Sequence, residues 1–339
     1  MNRIAHIALL LVVVLSGCRK DPVTAVDEAP DGPFMLDLPP GAPMPVFPAD
    51  NPLSQASVEL GKALFFDPRL SRNGTVSCAS CHFPDRAFSD TVARSVGIEG
   101  RTGLRNSPTL ANVAYHRDLF RDGGVPDLER QVIAPVHDPL EMDHNIQLAA
   151  AIVGLEPEYQ RLSQEAYRRP MDAFVLTRAI ANYERTLISG WSRYDRYEYQ
   201  GDADALSAAE LRGMQLFNGP ELNCTACHNG FDLSDHSFQN VGQYMEYADN
   251  GRERISLDPA DNGKFKVPTL RNIALTAPYM HDGAMATLEE VIDHFASGGL
   301  PHPNKSPELT NFVLTDIQKA DLIAFLNALT DERSVDQVR

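Results

Sequence analysis

Two pentapeptides, Cys78-Ala79-Ser80-Cys81-His82 and Cys224-Thr225-Ala226-Cys227-His228, constrain this chain more than any other feature. Each reads Cys-x-x-Cys-His, the attachment pattern of a c-type haem. Two thiols add across the vinyl groups of one porphyrin, and the adjacent histidine reaches the iron as proximal ligand. A zinc site would need further Cys or His ligands at matching spacing, and a redox Cys-x-x-Cys has no use for the following histidine. The chain is therefore read as carrying two covalent haems, held by Cys78, Cys81, His82 and by Cys224, Cys227, His228.

The remaining cysteine, Cys18, follows Leu15-Ser16-Gly17 after a basic start at Arg3 and an apolar run from Ile4 to Leu15. This describes a secretory signal over residues 1–17, too short for an ordinary transmembrane helix. The setting of Cys18 resembles a bacterial lipobox and predicts a lipidated mature N-terminus; a plain signal peptide with an incidental cysteine is the alternative. Residues 18–52 are read as a tether, with prolines at 22, 30, 33, 39, 40, 43, 45, 48 and 52. Haem attachment and the signal together predict the periplasmic side of a bacterial envelope. The net charge of −16 argues against nucleic-acid binding and suits a body that attracts basic patches on a partner.

The haem motifs belong to a longer repeat. Gly61-x-x-Leu64-Phe65 precedes the first, and Gly213-x-x-Leu216-Phe217 the second. Downstream, Pro108-Thr109-Leu110-Ala111-Asn112 matches Pro268-Thr269-Leu270-Arg271-Asn272. Without a gap, Asp122-Gly123 then falls on Asp282-Gly283 and Leu128-Glu129 on Leu288-Glu289. Tandem duplication of one unit is the simplest account. Helical periodicity runs over 128–136, 146–155, 171–188, 208–217, 288–295 and 315–328, with capping boxes at Ser207/Glu210 and Thr315/Gln318. Strand signals are few. The expected fold is mainly α: two tandem cytochrome c-like domains, residues 53–205 and 206–335, linked near 199–206.

Taken together these residues resemble the bacterial dihaem cytochrome c peroxidase family, which includes the MauG-type enzymes. The stretches that carry the resemblance are Leu64-Phe65-Phe66-Asp67-Pro68-Arg69-Leu70-Ser71, Arg105-Asn106-Ser107-Pro108-Thr109, Glu141-Met142, Phe265 to Asn272, and Ala277-Pro278-Tyr279-Met280-His281-Asp282-Gly283. The resemblance implies reduction of hydrogen peroxide at the first haem, with the second relaying electrons. It also implies one calcium ion between the domains, on Asn106, Thr276 and Pro278, although Asn106 reads equally well as a turn residue. A homodimer is compatible with it.

The family places a glutamine and, ten residues on, a glutamate over the peroxidatic iron; Gln131 and Glu141 keep that spacing. Splitting a peroxide requires a proton to move from one oxygen to the other, which Glu141 can do as base and then acid while Gln131 orients the oxygens. Without the family frame these two read as a surface helix residue and a cap.

Three positions depart from the pattern. Where many members carry a histidine that blocks the first iron, this chain has Ile98, with His116 and His137 off register, which predicts an open first haem. At the distal position of the second haem stands Phe295, which cannot ligate; His294, Met280 and Met285 are the nearby candidates. The family's tryptophan before the first Asp-Gly is Arg121, read either as a partner of haem propionates or as a solvated loop residue. The only tryptophan is Trp191.

Three functions follow from the resemblance. The leading one is a peroxidase fed by a small cytochrome c or cupredoxin. A MauG-type enzyme that oxidises side chains of a partner protein is the second. A dihaem electron carrier without catalysis is the third, and it needs neither an open iron nor the Gln131–Glu141 pair.

Overall fold

The computed structural model describes residues 34–333. The signal segment, Cys18 and the first part of the proline-rich tether lie outside them. The described residues are mainly helical, with one two-stranded antiparallel pair. In chain order the helices of the first half are α1 (Gln55–Phe65), α2 (Leu128–Gln131), α3 (Ile133–His137), α4 (Ile146–Val153), α5 (Pro157–Tyr167) and α6 (Ala173–Arg185). Then come α7 (Arg193–Gln200), α8 (Ala208–Asn218), β1 (Phe238–Gln239), α9 (Glu253–Ser256), β2 (Phe265–Lys266), α10 (Leu288–Ala296) and α11 (Asp316–Asn327). Among these helices none is long and apolar enough to cross a membrane.

Local chemistry sets these ends. Ser54, Ser192, Ser207, Thr287 and Thr315 each close a capping box, a device worth about 1 kcal/mol. The helix expected over 128–136 is instead two short helices meeting at Val132. Pro135 explains the break, because it has no N–H to offer the carbonyl four residues back. Helix α7 carries few aliphatic residues, so its sequence shows no apolar stripe.

The repeat seen in the sequence is a repeat of packing. Helix α1 crosses α6, and α8 crosses α11, each through a glycine. A Cβ on Gly61 would lie 1.8 Å from the Ala179 carbonyl oxygen, and one on Gly213 1.9 Å from that of Asp321. No side chain fits at either crossing. Both Pro-Thr-Leu-x-Asn motifs then tie a haem-motif loop to the closing helix of its own unit. Thr109 Oγ1 donates to the Ala87 carbonyl and Thr269 Oγ1 to that of Asp232. Asn112 and Asn272 both sit at positive φ. Their side-chain oxygens accept from the amides of Ser189 and Asp331, each at 2.8 Å.

Each unit has its own apolar core. One runs from Leu53 to Leu187, the other from Phe217 to Leu329. Tyr194 packs against the second, and Asp195 pairs with the fully buried Arg271 at 2.8 Å. Helix α7, within the stretch read as the first domain, thus packs against the second core. Across the junction, Arg105 bonds Asp249 at 2.5 and 2.8 Å and Arg254 reaches Asp122 at 2.5 Å, while Arg105 also holds Asp122 within its own unit at 2.7 Å.

Candidate functional site

Both haem motifs form a single 3₁₀ turn, Cys78–Ser80 and Cys224–Ala226. The turn carries the following histidine inward, where its ring meets a carbonyl of the next loop. His82 Nδ1 lies 2.8 Å from the Phe88 oxygen and His228 Nδ1 3.0 Å from the Leu233 oxygen. A carbonyl only accepts, so Nδ1 carries the proton and Nε2 keeps its lone pair for a metal. Burial lowers the pKa of both rings, which favours the neutral, ligating form. Ser107 Oγ stands 3.3 Å from His82 Nε2.

The second motif faces a cavity of about 250 Å³. Its walls include Phe217, Leu270, Ile273, Leu288, Ile292 and Phe295. Paired thiols, a histidine with a free Nε2 and a large apolar wall fit a c-type haem. Phe295 is in the wall, where it packs and cannot ligate. Of the three nearby candidates, Met280 lines the cavity; Met285 pairs through its backbone with Tyr279. His294 gives its Nε2–H to the Val241 carbonyl at 2.9 Å.

At the lip of this cavity lies Arg121. Its Nε donates to the Asn106 carbonyl at 2.9 Å and its Nη2 to Asn106 Oδ1 at 2.7 Å. Among the described residues no carboxylate forms an ion pair with it. Desolvation, reinforced by the nearby Arg105 and partly offset by Asp282, lowers its pKa to about 10, so it is a half-buried cation without an ion-paired carboxylate. A haem propionate at the cavity mouth fits that guanidinium. Beside it His281 stacks on Phe265, ring centres 3.9 Å apart and 15° from parallel. Trp191 is remote from this wall, its ring beneath the Arg333 guanidinium at 3.2 Å.

The calcium donors do not fit their ion as they stand. Asn106 Oδ1, the one side-chain oxygen of the set, is engaged by Arg121. Thr276 and Pro278 offer neutral carbonyls, and the remaining oxygens of a calcium shell would have to be water. An ion on Asn106 would also sit against a half-buried guanidinium, a like-charge contact in a medium that screens poorly.

Near the first motif, Gln131 closes α2, half-buried, and Glu141 lies ten residues on in the loop after α3. Met142 is buried and accepts from the Arg72 amide, pegging that loop to the core. Ile98 donates its amide to the Glu141 carbonyl at 2.7 Å, and Gly97 packs so closely that a Cβ there would lie 2.1 Å from the Leu140 oxygen. The Glu141 side chain is exposed at the surface of this loop. Desolvation by its surroundings, aided by Asp138, nonetheless raises its pKa to about 7. The Ile98 side chain is fully buried. His116 bonds Asp232, His137 accepts from the Ile146 amide, and His144 contacts the Leu70 carbonyl.

One group near this motif was missed in the sequence. Glu184, on α6, is buried with its Oε2 unpartnered. Burial raises its pKa to about 8, and its charge acts on Cys78. Nothing in a helical stretch between Tyr183 and Arg185 marks it beforehand.

Known proteins resemble this chain along most of its length. The sequence profile of the di-haem cytochrome c peroxidase family matches residues 55–204. The methylamine utilization protein MauG of Methylorubrum extorquens is 38% identical, over 84% of this chain and 81% of its own. Cytochrome c551 peroxidase of Nitrosomonas europaea is 34% identical, over 86% and 85%. Among solved structures, a MauG-like protein associated with microbial copper homeostasis superposes with a TM-score of 0.84 at 38% identity, covering 88% of this chain and 96% of that one. The diheme peroxidase BthA of Burkholderia thailandensis gives 0.72 at 26% identity, over 92% and 94%. With paired haem motifs, a duplicated helical unit and relatives of this extent, the chain belongs to the di-haem cytochrome c peroxidase family of oxidoreductases.

Proposed function

We propose a division of labour between the two units of this hydrogen-peroxide-reducing enzyme, with peroxide consumed at the first and electrons entering through the second. When bound, a c-type haem with an open coordination position binds peroxide and takes up its oxidising equivalents. The observation that carries the assignment is the place of Glu141, close enough to the first motif for its charge to act on Cys78 and Cys81. Desolvation and Asp138 raise its pKa to about 7, which suits a group that takes a proton and returns it near neutral pH. Gln131, on the same segment, orients the peroxide oxygens through its amide. His82 and His228 hold the irons from the proximal side, each oriented by a loop carbonyl. Arg121 pairs with a propionate of the second haem and supplies the fixed positive charge between the units.

A second reading is favoured by one observation. Ile98 is buried where a blocking histidine would stand, and His116, His137 and His144 have partners elsewhere. A first haem left open reacts without prior reduction, as a MauG-type enzyme acting on a partner protein requires. The donor is then either a small redox protein or the oxidised side chain itself. The N-terminal segment would hold the enzyme on the periplasmic side of the envelope through a lipid at Cys18.

The test is Glu141→Gln in the dihaem protein. Loss of peroxide turnover with both haems still reducible by dithionite supports the assignment; unchanged turnover ends it.

A further inference from the structure

We propose that His116, Asp232 and His236 bind one late first-row divalent cation, Zn²⁺ or Cu²⁺, at the junction of the two units. His116 comes from the first unit, just past the Pro-Thr-Leu-x-Asn motif. Asp232 and His236 come from the loop that follows the second haem motif. None of the three lines the haem cavity. Their ligand atoms all lie within 4.8 Å of one another.

The spacing suits a metal. His116 Nε2 is 3.0 Å and His236 Nε2 3.5 Å from the same oxygen, Asp232 Oδ2. Ligands about 2.0–2.1 Å from a tetrahedral zinc stand roughly 3.3 Å apart. The imidazole ring centres lie 4.6 Å apart with planes 50° from parallel, and the side chains are largely buried, 12%, 6% and 20% exposed.

The groups behind the ligands point the same way. Asp232 Oδ1 accepts from Asn112 Nδ2 at 2.9 Å, which turns Oδ2 toward the two rings. Ser234 Oγ spends its proton on the Val267 carbonyl at 2.8 Å, so it meets His236 Nδ1, 3.4 Å away, as an acceptor. That places the His236 proton on Nδ1 and turns a bare Nε2 lone pair toward a carboxylate oxygen. A cation seated between these atoms would displace the His116 proton and satisfy both rings and the carboxylate together. Outer partners that fix tautomer and orientation in this way are the usual support of a metal ligand. Two imidazoles and one carboxylate select zinc or copper over calcium or magnesium. Three protein ligands leave a fourth position for water.

Such an ion would join the two units directly, one ligand from the first and two from the second. The test uses the full dihaem protein, stripped with EDTA, dialysed, and titrated with Zn²⁺ by calorimetry, with bound zinc counted by mass spectrometry. The expected result is one zinc per chain. His236→Gln and a His116→Ala/His236→Ala variant with unchanged haem spectra should bind roughly 100-fold more weakly or worse. Cu²⁺ added instead of zinc should give an EPR signal with hyperfine splitting from two nitrogens. A wild-type protein that retains no zinc, or variants that bind as tightly as the wild type, would overturn the proposal.

Discussion

Arg121 holds Asn106 by two hydrogen bonds, one to its carbonyl and one, 2.7 Å long, to its side-chain oxygen. The side chain that family resemblance assigns to calcium is thereby engaged by a fixed organic cation. The Arg121 carbonyl in turn accepts from the Lys266 amide at 2.7 Å. One residue of the first unit thus reaches the strand pair and the haem cavity of the second.

Electron transfer between the haems is therefore expected to be insensitive to EGTA. Arg121→Gln removes a positive charge beside the second haem and should lower that haem's midpoint potential. The expected shift is on the order of 60 mV, a tenfold change for a one-electron couple. Redox titration checks the potential, and the inter-haem transfer rate measured with and without EGTA checks the first statement. A rate that falls on chelation would restore calcium to Asn106.

Peroxide turnover should follow the ionisation of Glu141. The group acts first as a base, so it must be deprotonated when peroxide arrives. With its pKa raised to about 7 by desolvation and Asp138, kcat/KM is expected to fall as the pH drops below about 7. Glu141→Gln should lose roughly 10²–10⁴-fold in turnover and flatten that limb of the profile. Stopped-flow measurements between pH 5 and 9 would settle it.

Glu184 should appear in stability instead. Its folded pKa, about 8, exceeds its ordinary value of 4.5 because burial penalises the charge. The folded state thus binds the extra proton, and this contribution is complete below the unfolded pKa and lost as pH rises through about 8. Glu184→Gln cannot ionise. Its melting temperature should decline less between pH 5 and 9 than that of the wild type, by about 3 °C or more, equivalent to roughly 1 kcal/mol. Parallel declines would mean that the carboxyl has relaxed to solvent.

Gly61 and Gly213 are expected to be intolerant of any side chain. Gly61→Ala drives a methyl into the Ala179 carbonyl, and Gly213→Ala into that of Asp321. Each should cost about 1–3 kcal/mol and lower haem loading in its own unit. Denaturant unfolding of the two variants, compared with Ala substitution of the open Gly103, gives the measure.

The first haem should react as isolated. Ile98 offers no ligand and the nearby histidines are engaged, so one equivalent of peroxide added to the diferric protein should promptly remove a high-spin EPR signal. A signal that persists until one haem is reduced would show that another residue blocks the iron.

Much of the site was legible as sequence, because its chemistry is local. The adjacency of two thiols and a histidine is the signature of covalent attachment and a proximal ligand within five residues. The duplicated Gly-x-x-Leu-Phe and Pro-Thr-Leu-x-Asn runs read as a tandem fold, since each serves contacts inside its own unit: a helix crossing and a latch on the closing helix. Pro135 could have warned of the break after Gln131, but the apolar spacing across 128–136 hid it. The polar helix α7 left no stripe to read.

What only the tertiary structure decided is set by residues far apart in the chain. Sequence shows that Arg121 stands where a tryptophan is usual; folding puts its guanidinium on Asn106, at the lip of a cavity built by the other unit. His116 looks like a surplus histidine until the units close and bring it to Asp232, 116 residues on. Glu184 sits among helix formers, and its raised pKa comes from the core packed around it. Local spacing determines which cofactor this chain can hold. Burial and long-range pairing determine which charges and ligands that cofactor meets.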